Sequence, residues 1–380
     1  MRLVWATVAS VRRVDAAVEE LDVATDDGRP RSTAINYPPL AGTCRVGDRV
    51  LLNTTAVELG LGTGGKHFVV ARLGEGSGVA LDAPSGGHVL KLRYTPMQTD
   101  VLSVESPESP FHDAMQAADS LAGMPVVCCG LHSQVVLVAA AIKQADPECR
   151  VAYCMTDGAS LALPLSDLIR ASLAAGLIDA TITCGQAFGG EYEAVNLHSG
   201  LLAARYVADA QVAIVAIGPG VVGTATPFGH GGVAQGEAVN AVAALGGTPI
   251  AVLRLSFADS RERHRVVSHH TLSALTRVAL APALVAIPEL ARPEAEQVEA
   301  TLADAGVWRL HTRAPAEGRA GAAGPDLRGI EVTTMGRGPS DDPAFFAAAF
   351  AAGSAAVGVA HGAAGTRVKR DEKDKNGAVS

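Results

Sequence analysis

Aromatic residues are scarce in this chain: Phe, Trp and Tyr together make up 4 % of its 380 residues. Any core must therefore be built mainly from Ala, Val, Leu and Ile. A basic excess is also lacking. The net charge of −8 disfavours a nucleic-acid or anionic-membrane partner, because both reward a positive surface. Hydrophobic residues at 48 % and charged residues at 18 % give a globular balance. No CxxC pair occurs among the six cysteines. No secretory leader is visible either, since Arg12 and Arg13 follow Met1–Val8 where an apolar stretch should continue. The expectation is a cytoplasmic protein with reduced thiols that act as small buried hydrophobes. Cys129, Cys154 and Cys184 fall near the ends of predicted strands and could lie side by side, which leaves a thiol site as the alternative. The most membrane-like run, Phe345–Ala360, falls short of the roughly 20 apolar residues that span a bilayer and reads as a packed helix.

The chain is long enough for two domains. Residues 1–105 read as a β module, a small barrel or sandwich, with strands at Leu3–Val8, Arg49–Leu52, His67–Ala71, His88–Tyr94 and Thr99–Val104. Ser106–Pro110 reads as a linker. From Pro125 the texture changes to strand alternating with helix. Apolar runs at Val126–Cys129, Val151–Met155, Ala180–Thr183, Val212–Ile217, Ile250–Leu255 and Ala283–Ile287 are separated by helical stretches. Those helices are Ser133–Lys143, Asp167–Ala175, Glu193–Val207, Val233–Leu245, Ser268–Ala279 and Glu294–Ala305. This pattern predicts a doubly wound, mostly parallel, Rossmann-like α/β domain over 106–360. A last strand is predicted at Gly329–Met335 and a disordered charged tail over 361–380.

In such sheets ligands bind at the carboxyl ends of the strands. Here those ends carry His132, Asp157, the Gly189-Gly190-Glu191 turn and the run Gly218, Gly220, Gly223 and Thr224. After the fifth strand come Asp259, Arg261, Arg263, His264, His269 and His270. The loops at the opposite edge are short and plain, so the chemistry collects on one side. Two motifs fall short of nucleotide signatures. Gly218-Pro219-Gly220-Val221-Val222-Gly223 has dinucleotide-fingerprint spacing, but Pro227 and Gly229 delay the helix, which disfavours standard NAD binding. An anion cradle of backbone amides with Thr224 and Thr226 is the alternative. Gly60–Lys66 has P-loop spacing, but His67 replaces the hydroxyl residue and a strand follows.

The loop around Asp259 is the most chemically loaded. Arg261 or Arg263 could clamp a phosphate or carboxylate, and Asp157, Asp259, His264, His269 and His270 could serve as acid–base groups. Adjacent histidines on a helix point about 100° apart. A divalent metal would therefore draw one of His269 and His270, together with His264, Asp259 or Asp157. Glu193 reads as a helix-start acid and Glu191 as a site candidate.

Several motifs in one order resemble a bacterial family known only as domain of unknown function 3866. They are Leu51–Thr55, Gly62–Gly65 with His67–Val69, Met155–Ala159, Ala187–Gly190, Gly218–Gly220 and Ser268–His270. The resemblance runs from the N-terminus to about Pro288, and the chain departs from it at Val266-Val267 and Ala225. It implies one full-length architecture and carries no activity. The expectation is an enzyme, a hydrolase or transferase, acting on a small anionic metabolite that is phosphorylated or nucleotide-like. The alternatives are a ligand sensor or scaffold using the same loops, and RNA binding through the β module. A homo-oligomer would suit so apolar a chain.

Overall fold

The computed structural model describes residues 1–13, 15–61, 64–73, 86–315 and 326–376, with side chains as far as Gly362. Two compact units are present, Met1–Leu102 and Ser103–Ser380.

In the first unit β1 (Leu3–Arg13), β2 (Glu19–Thr25), β3 (Ser32–Asn36), β4 (Arg49–Asn53) and β5 (His67–Leu73) close into a barrel, ordered β1-β2-β3-β5-β4. Every pairing is antiparallel except β3 with β5. That order, with its one parallel pair, is the arrangement of an OB-type barrel. Single helical turns α1 (Pro38–Ala41) and α2 (Thr55–Glu58) join the strands, and β6 (Val89–Lys91) pairs with β7 (Thr99–Val101). Strands β2 and β3 escape an apolar pattern search for a physical reason. Glu19 starts β2 yet is fully buried, its carboxylate accepting bonds from Asn36 Nδ2 and the Cys44 amide at 2.9 Å. The P-loop-like glycine run leads straight into β5, and Lys66 pairs with Glu20 at 2.8 Å. Gly62 and Thr63 lie outside the described residues.

The second unit opens with α3 (His112–Ala117), preceded by hydrogen-bonded turns at Ser106–Ser109. An eight-stranded, all-parallel sheet follows. In chain order the elements are β8 (Pro125–Cys128), α4 (Gln134–Ala145), β9 (Val151–Thr156), α5 (Asp167–Ala174), β10 (Ala180–Cys184), β11 (Tyr192–Ala194), α6 (Leu197–Tyr206), β12 (Val212–Ile217) and α7 (Ala234–Ala244). Then come β13 (Thr248–Val252), a small antiparallel pair β14 (Leu255–Ser256) and β15 (Val266–Val267), α8 (His269–Ser273), β16 (Leu284–Ala286), α9 (Arg292–Asp304), β17 (Thr312–Arg313) and α10 (Pro343–Asn376). The spatial order is β11-β10-β9-β12-β8-β13-β16-β17. The fold is thus a Rossmann-like α/β sheet preceded by a closed β-barrel. Its order differs from the dinucleotide-binding one, because β12 inserts between β9 and β8 instead of lying outside them.

Both faces of the sheet are covered, which is why its strands are continuously apolar: β12 is buried at every position. Ile142 of α4, Ile169 of α5 and Phe345 of α10 share one core layer, while Leu201 of α6, Val239 of α7 and Val298 of α9 share the other. Consecutive strand ends across β9, β12, β8 and β13 therefore send the chain to alternating faces. With few aromatics to fill gaps, helices pack closely. A Cβ on Gly353 of α10 would stand 2.4 Å from the Val138 carbonyl of α4.

Several elements correct the sequence reading. Helix α6 begins at Leu197 behind an Asn196–Ser199 capping box, and Glu193 sits in β11 instead, because Thr183 Oγ1 and the Gly189 amide hold its carboxylate at 2.7 Å. No strand forms at Gly329–Met335, which contributes only a Thr334–Arg337 bridge; the sheet ends with β17. Cys154 and Cys184 share a layer with Cys128, while Cys129 faces the opposite one, as the two-residue strand period requires. Among the described residues one helix, Pro343–Gly362, is long and apolar enough to cross a membrane, and 67 % of that window is buried.

Candidate functional site

The carboxyl edge of the sheet is not an open crevice. Gln235 of α7 reaches between β8 and β13, donating to the Cys128 and Val252 carbonyls at 2.8 and 2.7 Å. Gln134 Oε1 accepts from the Gly130 and Leu131 amides, while its amide donates to the Leu253 carbonyl. At the β12–β8 junction His132 is buried with both ring nitrogens engaged. Its Nε2 accepts from the Ser166 hydroxyl at 2.6 Å, and its Nδ1 lies 3.2 Å from Tyr153 Oη and 3.3 Å from the Ile217 carbonyl. Burial pushes its pKa down to about 4. His132 thereby locks the β8 loop to the start of α5, where Ser166 is the N-cap.

The glycine-rich segment after β12 turns back on itself. Gly218 lets the chain pass Ser160, whose carbonyl a Cβ would approach to 2.3 Å, and Gly220 is exposed at positive φ. Gly223 bridges His230 as in a hairpin. The Thr224 amide donates to the Gly229 carbonyl at 2.8 Å, and the Gly229 amide donates to Thr226 Oγ1 at 3.0 Å. Thr224 Oγ1 bonds the Gly229 carbonyl and Thr226 Oγ1. These amides and hydroxyls satisfy one another, so they do not form the open cradle that the spacing alone allows, and no helix opens to face a pyrophosphate. The turn after β10 is equally closed. Gly189 donates to Glu193, Gly190 to Thr183 and Glu191 to Thr181, while exposed Asp157 accepts from the Gln186 amide at 2.9 Å.

Asp259 is 3 % exposed and sits among arginines. Arg261 grips it bidentately, Nε to Oδ1 at 2.9 Å and Nη2 to Oδ2 at 2.8 Å. Arg337 reaches it at 3.2 Å and Arg254 at 3.8 Å. Arg337 also holds Asp342 at 3.0 Å, and Ser256 donates to the same carboxylate at 2.7 Å. The Arg261 hydrogen bonds keep the Asp259 carboxyl well below the usual carboxylate range. Asp259 and Arg261 are therefore committed to each other. Arg263 is exposed and has no ion pair among the described residues, yet it lies near enough to depress the His269 pKa.

Beside this network the loops gather four imidazoles. His230 stacks on His270 with ring centres 3.9 Å apart, and His269 lies 4.4 Å from His270 and 5.4 Å from His230. His264 stands 4.9 Å from His270 and bonds Ser268 Oγ through Nδ1 at 2.7 Å; Ser268 also caps α8. His269 and His270 nonetheless bring their ring centres within 4.4 Å of each other. The 100° offset applies to their Cβ directions, whereas the rings extend far enough to converge. Asp157 and Asp259, each an alternative to His264 as a metal's further ligand, are held elsewhere. His230 instead lies against His269 and His270.

Burial drives all four histidines toward the neutral form. His264 is pushed down to about 3 and His270 to about 2, with Arg254 adding to both. His230 and His269 are lowered too, burial being the largest cause. His230 Nε2 lies 3.1 Å from the Pro227 carbonyl, which can only accept, so Nε2 carries the proton and Nδ1 presents a lone pair. That Nδ1 is buried without a partner, as is Nε2 of His269. Arg254, 5 % exposed, lies between the cluster and Asp259, with Nη1 3.4 Å from His270 Nδ1. Sequence reading did not select His230, Arg254, Arg337 or Asp342. Only His230 left a signal, a histidine closing a glycine-rich strand-end loop.

No curated protein and no solved structure matches the chain. Residues 33–353 match the family model described as Protein of unknown function (DUF3866). That match reaches past Pro288 into α10, so it takes in the histidine loops and the Arg337–Asp342 segment together. The chain belongs to the DUF3866 family.

Proposed function

We propose that this protein is a cytoplasmic enzyme, a hydrolase or transferase, acting on a small anionic metabolite at the loops after β12 and β13. One observation carries the reading. His132 and His311 have both ring nitrogens satisfied, whereas His230 Nδ1 and His269 Nε2 are buried without partners in a cluster of neutral rings. Leaving such an atom unpaired costs about 1–3 kcal/mol, a cost that a ligand bound at these two nitrogens would remove. Neutral imidazoles supply acid–base groups or metal ligands. The anion preference follows from local charge. The stretch Arg254–Arg265 sets four arginines against Asp259 and Glu262 in a chain whose net charge is −8. The six cysteines are all buried thiols outside any disulfide, which suits a reducing compartment.

The test is a melting-point screen of the purified chain with phosphorylated metabolites and nucleotides, alone and with divalent metals. Mass spectrometry of the stabilising compound after long incubation then follows. Conversion that stops in His269→Ala supports the enzyme. Recovery of the compound unchanged replaces it with a ligand sensor.

The barrel's strand order gives an RNA-binding reading its one support, since OB-type barrels bind oligonucleotides. Charge opposes it: Arg29 pairs with Glu58, Arg49 with Asp26, Arg72 with Asp48 and Lys66 with Glu20. A flat titration with single-stranded RNA at low salt would end that reading.

A further inference from the structure

We propose that His230, His269 and His270 bind one divalent transition-metal ion of the zinc class. The inference rests on the reading of this edge as the functional site and supplies its cofactor. One ring nitrogen from each residue lies within 4.8 Å of the other two. In a tetrahedral site with metal–nitrogen bonds of about 2.0 Å, neighbouring ligand atoms stand roughly 3.3 Å apart. To coordinate one ion the ligand atoms must close in, and His230 and His270 must tilt out of their parallel stack so that both in-plane lone pairs point at it.

A second observation points to a ligand. His230 is 4 % exposed, and its unpartnered Nδ1 is held in place by the bond from Nε2 to the Pro227 carbonyl. Anchoring one ring nitrogen on a carbonyl while the other presents its lone pair is how proteins orient a metal-binding imidazole. His269 Nε2 is buried and unpartnered in the same cluster. His270 is the one ring with a competing contact. Arg254 can only donate, so His270 Nδ1 accepts and Nε2 carries the proton. Metal binding at Nε2 moves that proton to Nδ1, and Arg254 gives up a contact already long at 3.4 Å while keeping Asp259.

The donor set selects the ion. Three imidazoles without a carboxylate or thiolate suit zinc, cobalt, nickel or copper and do not suit magnesium or calcium. Three protein ligands also leave a position for water or substrate, the pattern of catalytic zinc sites. The exposed guanidinium of Arg263 acts on His269 as a nearby positive charge, which favours an anion at this edge.

The test uses the full chain, stripped with chelator and titrated with Co²⁺ followed by its visible spectrum, with Zn²⁺ as competitor. One equivalent with a tetrahedral cobalt spectrum is expected. Binding should weaken at least a hundredfold in His230→Ala and in His269→Ala, and stay unchanged in His198→Ala, an exposed histidine elsewhere on the unit. Absence of uptake by the natural chain, or uptake that survives both substitutions, overturns the proposal. If the variants do not fold, X-ray absorption of the zinc-loaded natural chain decides: three imidazole ligands support the site, and sulphur or fewer than two imidazoles overturns it. Turnover of an anion without metal uptake would sink the metal site and leave the enzyme standing; uptake without turnover would do the reverse.

Discussion

The imidazole of His230 lies flat on that of His270, ring centres 3.9 Å apart and planes 4° from parallel. Two protonated rings could not stack this way in a buried place beside Arg254, so the geometry and the lowered pKa values describe one condition. Gly232 makes the stack possible. A Cβ there would stand 3.0 Å from His270 Cβ and 3.1 Å from His230 Nδ1. Gly232→Ala is expected to push the rings apart, costing about 1–2 kcal/mol of stability and at least tenfold in cobalt affinity. Unchanged cobalt affinity in this variant would show that the rings do not act together.

Asp259→Asn should destabilise the protein by about 3 kcal/mol at neutral pH, because Arg254, Arg261 and Arg337 lose their shared anion. The pH dependence has a definite sign. The folded pKa of Asp259 lies below its unfolded value, so its contribution is fully present above about pH 4 and fades as the pH falls through the folded value. Urea midpoints of the two proteins should therefore converge on acidification below pH 4. A gap that stays constant from pH 7 to pH 3 would contradict the charge assignment.

Gln235→Leu removes two buried amide donors that tie the ends of β8 and β13 together. The expected loss is about 2–3 kcal/mol, read as a lower urea midpoint with an unchanged slope. A near-neutral result would mean that the two carbonyls find other partners.

All six cysteines are buried thiols outside any disulfide, and burial raises the Cys128 and Cys44 thiols to about 12. An aromatic disulfide reagent should find no fast-reacting thiol in the native protein and six after unfolding in guanidinium. One rapid equivalent in the native state would identify an opening that the fold does not show.

Arg263→Ala should leave stability within about 0.5 kcal/mol, since its guanidinium is exposed and makes no ion pair among the described residues. Phosphate or the best stabilising anion should bind about tenfold more weakly. Equal binding would move the anion site away from His269.

Hydrophobic periodicity is local, and it was enough to determine the second unit's strand–helix alternation and its burial on both faces. Composition determined that the core is aliphatic, and residue order determined that the histidines and glycines gather at one sheet edge. Elements held by buried polar groups were hidden from that pattern: β2 starts at Glu19, and β11 contains Glu193, each secured by specific hydrogen bonds. Tertiary structure alone decided where each candidate side chain ended. It placed β12 between β9 and β8, filled the strand-end crevice with Gln134, Gln235 and His132, and paired Asp259 with Arg337 from a distant segment. It also brought His230 against His269 and His270 across a span of 40 residues that no local pattern links. The physical reason is the range of the forces. Periodic burial acts within a few residues and is written along the chain, while the pairing of charges, lone pairs and rings depends on distances that exist only once the loops have folded together.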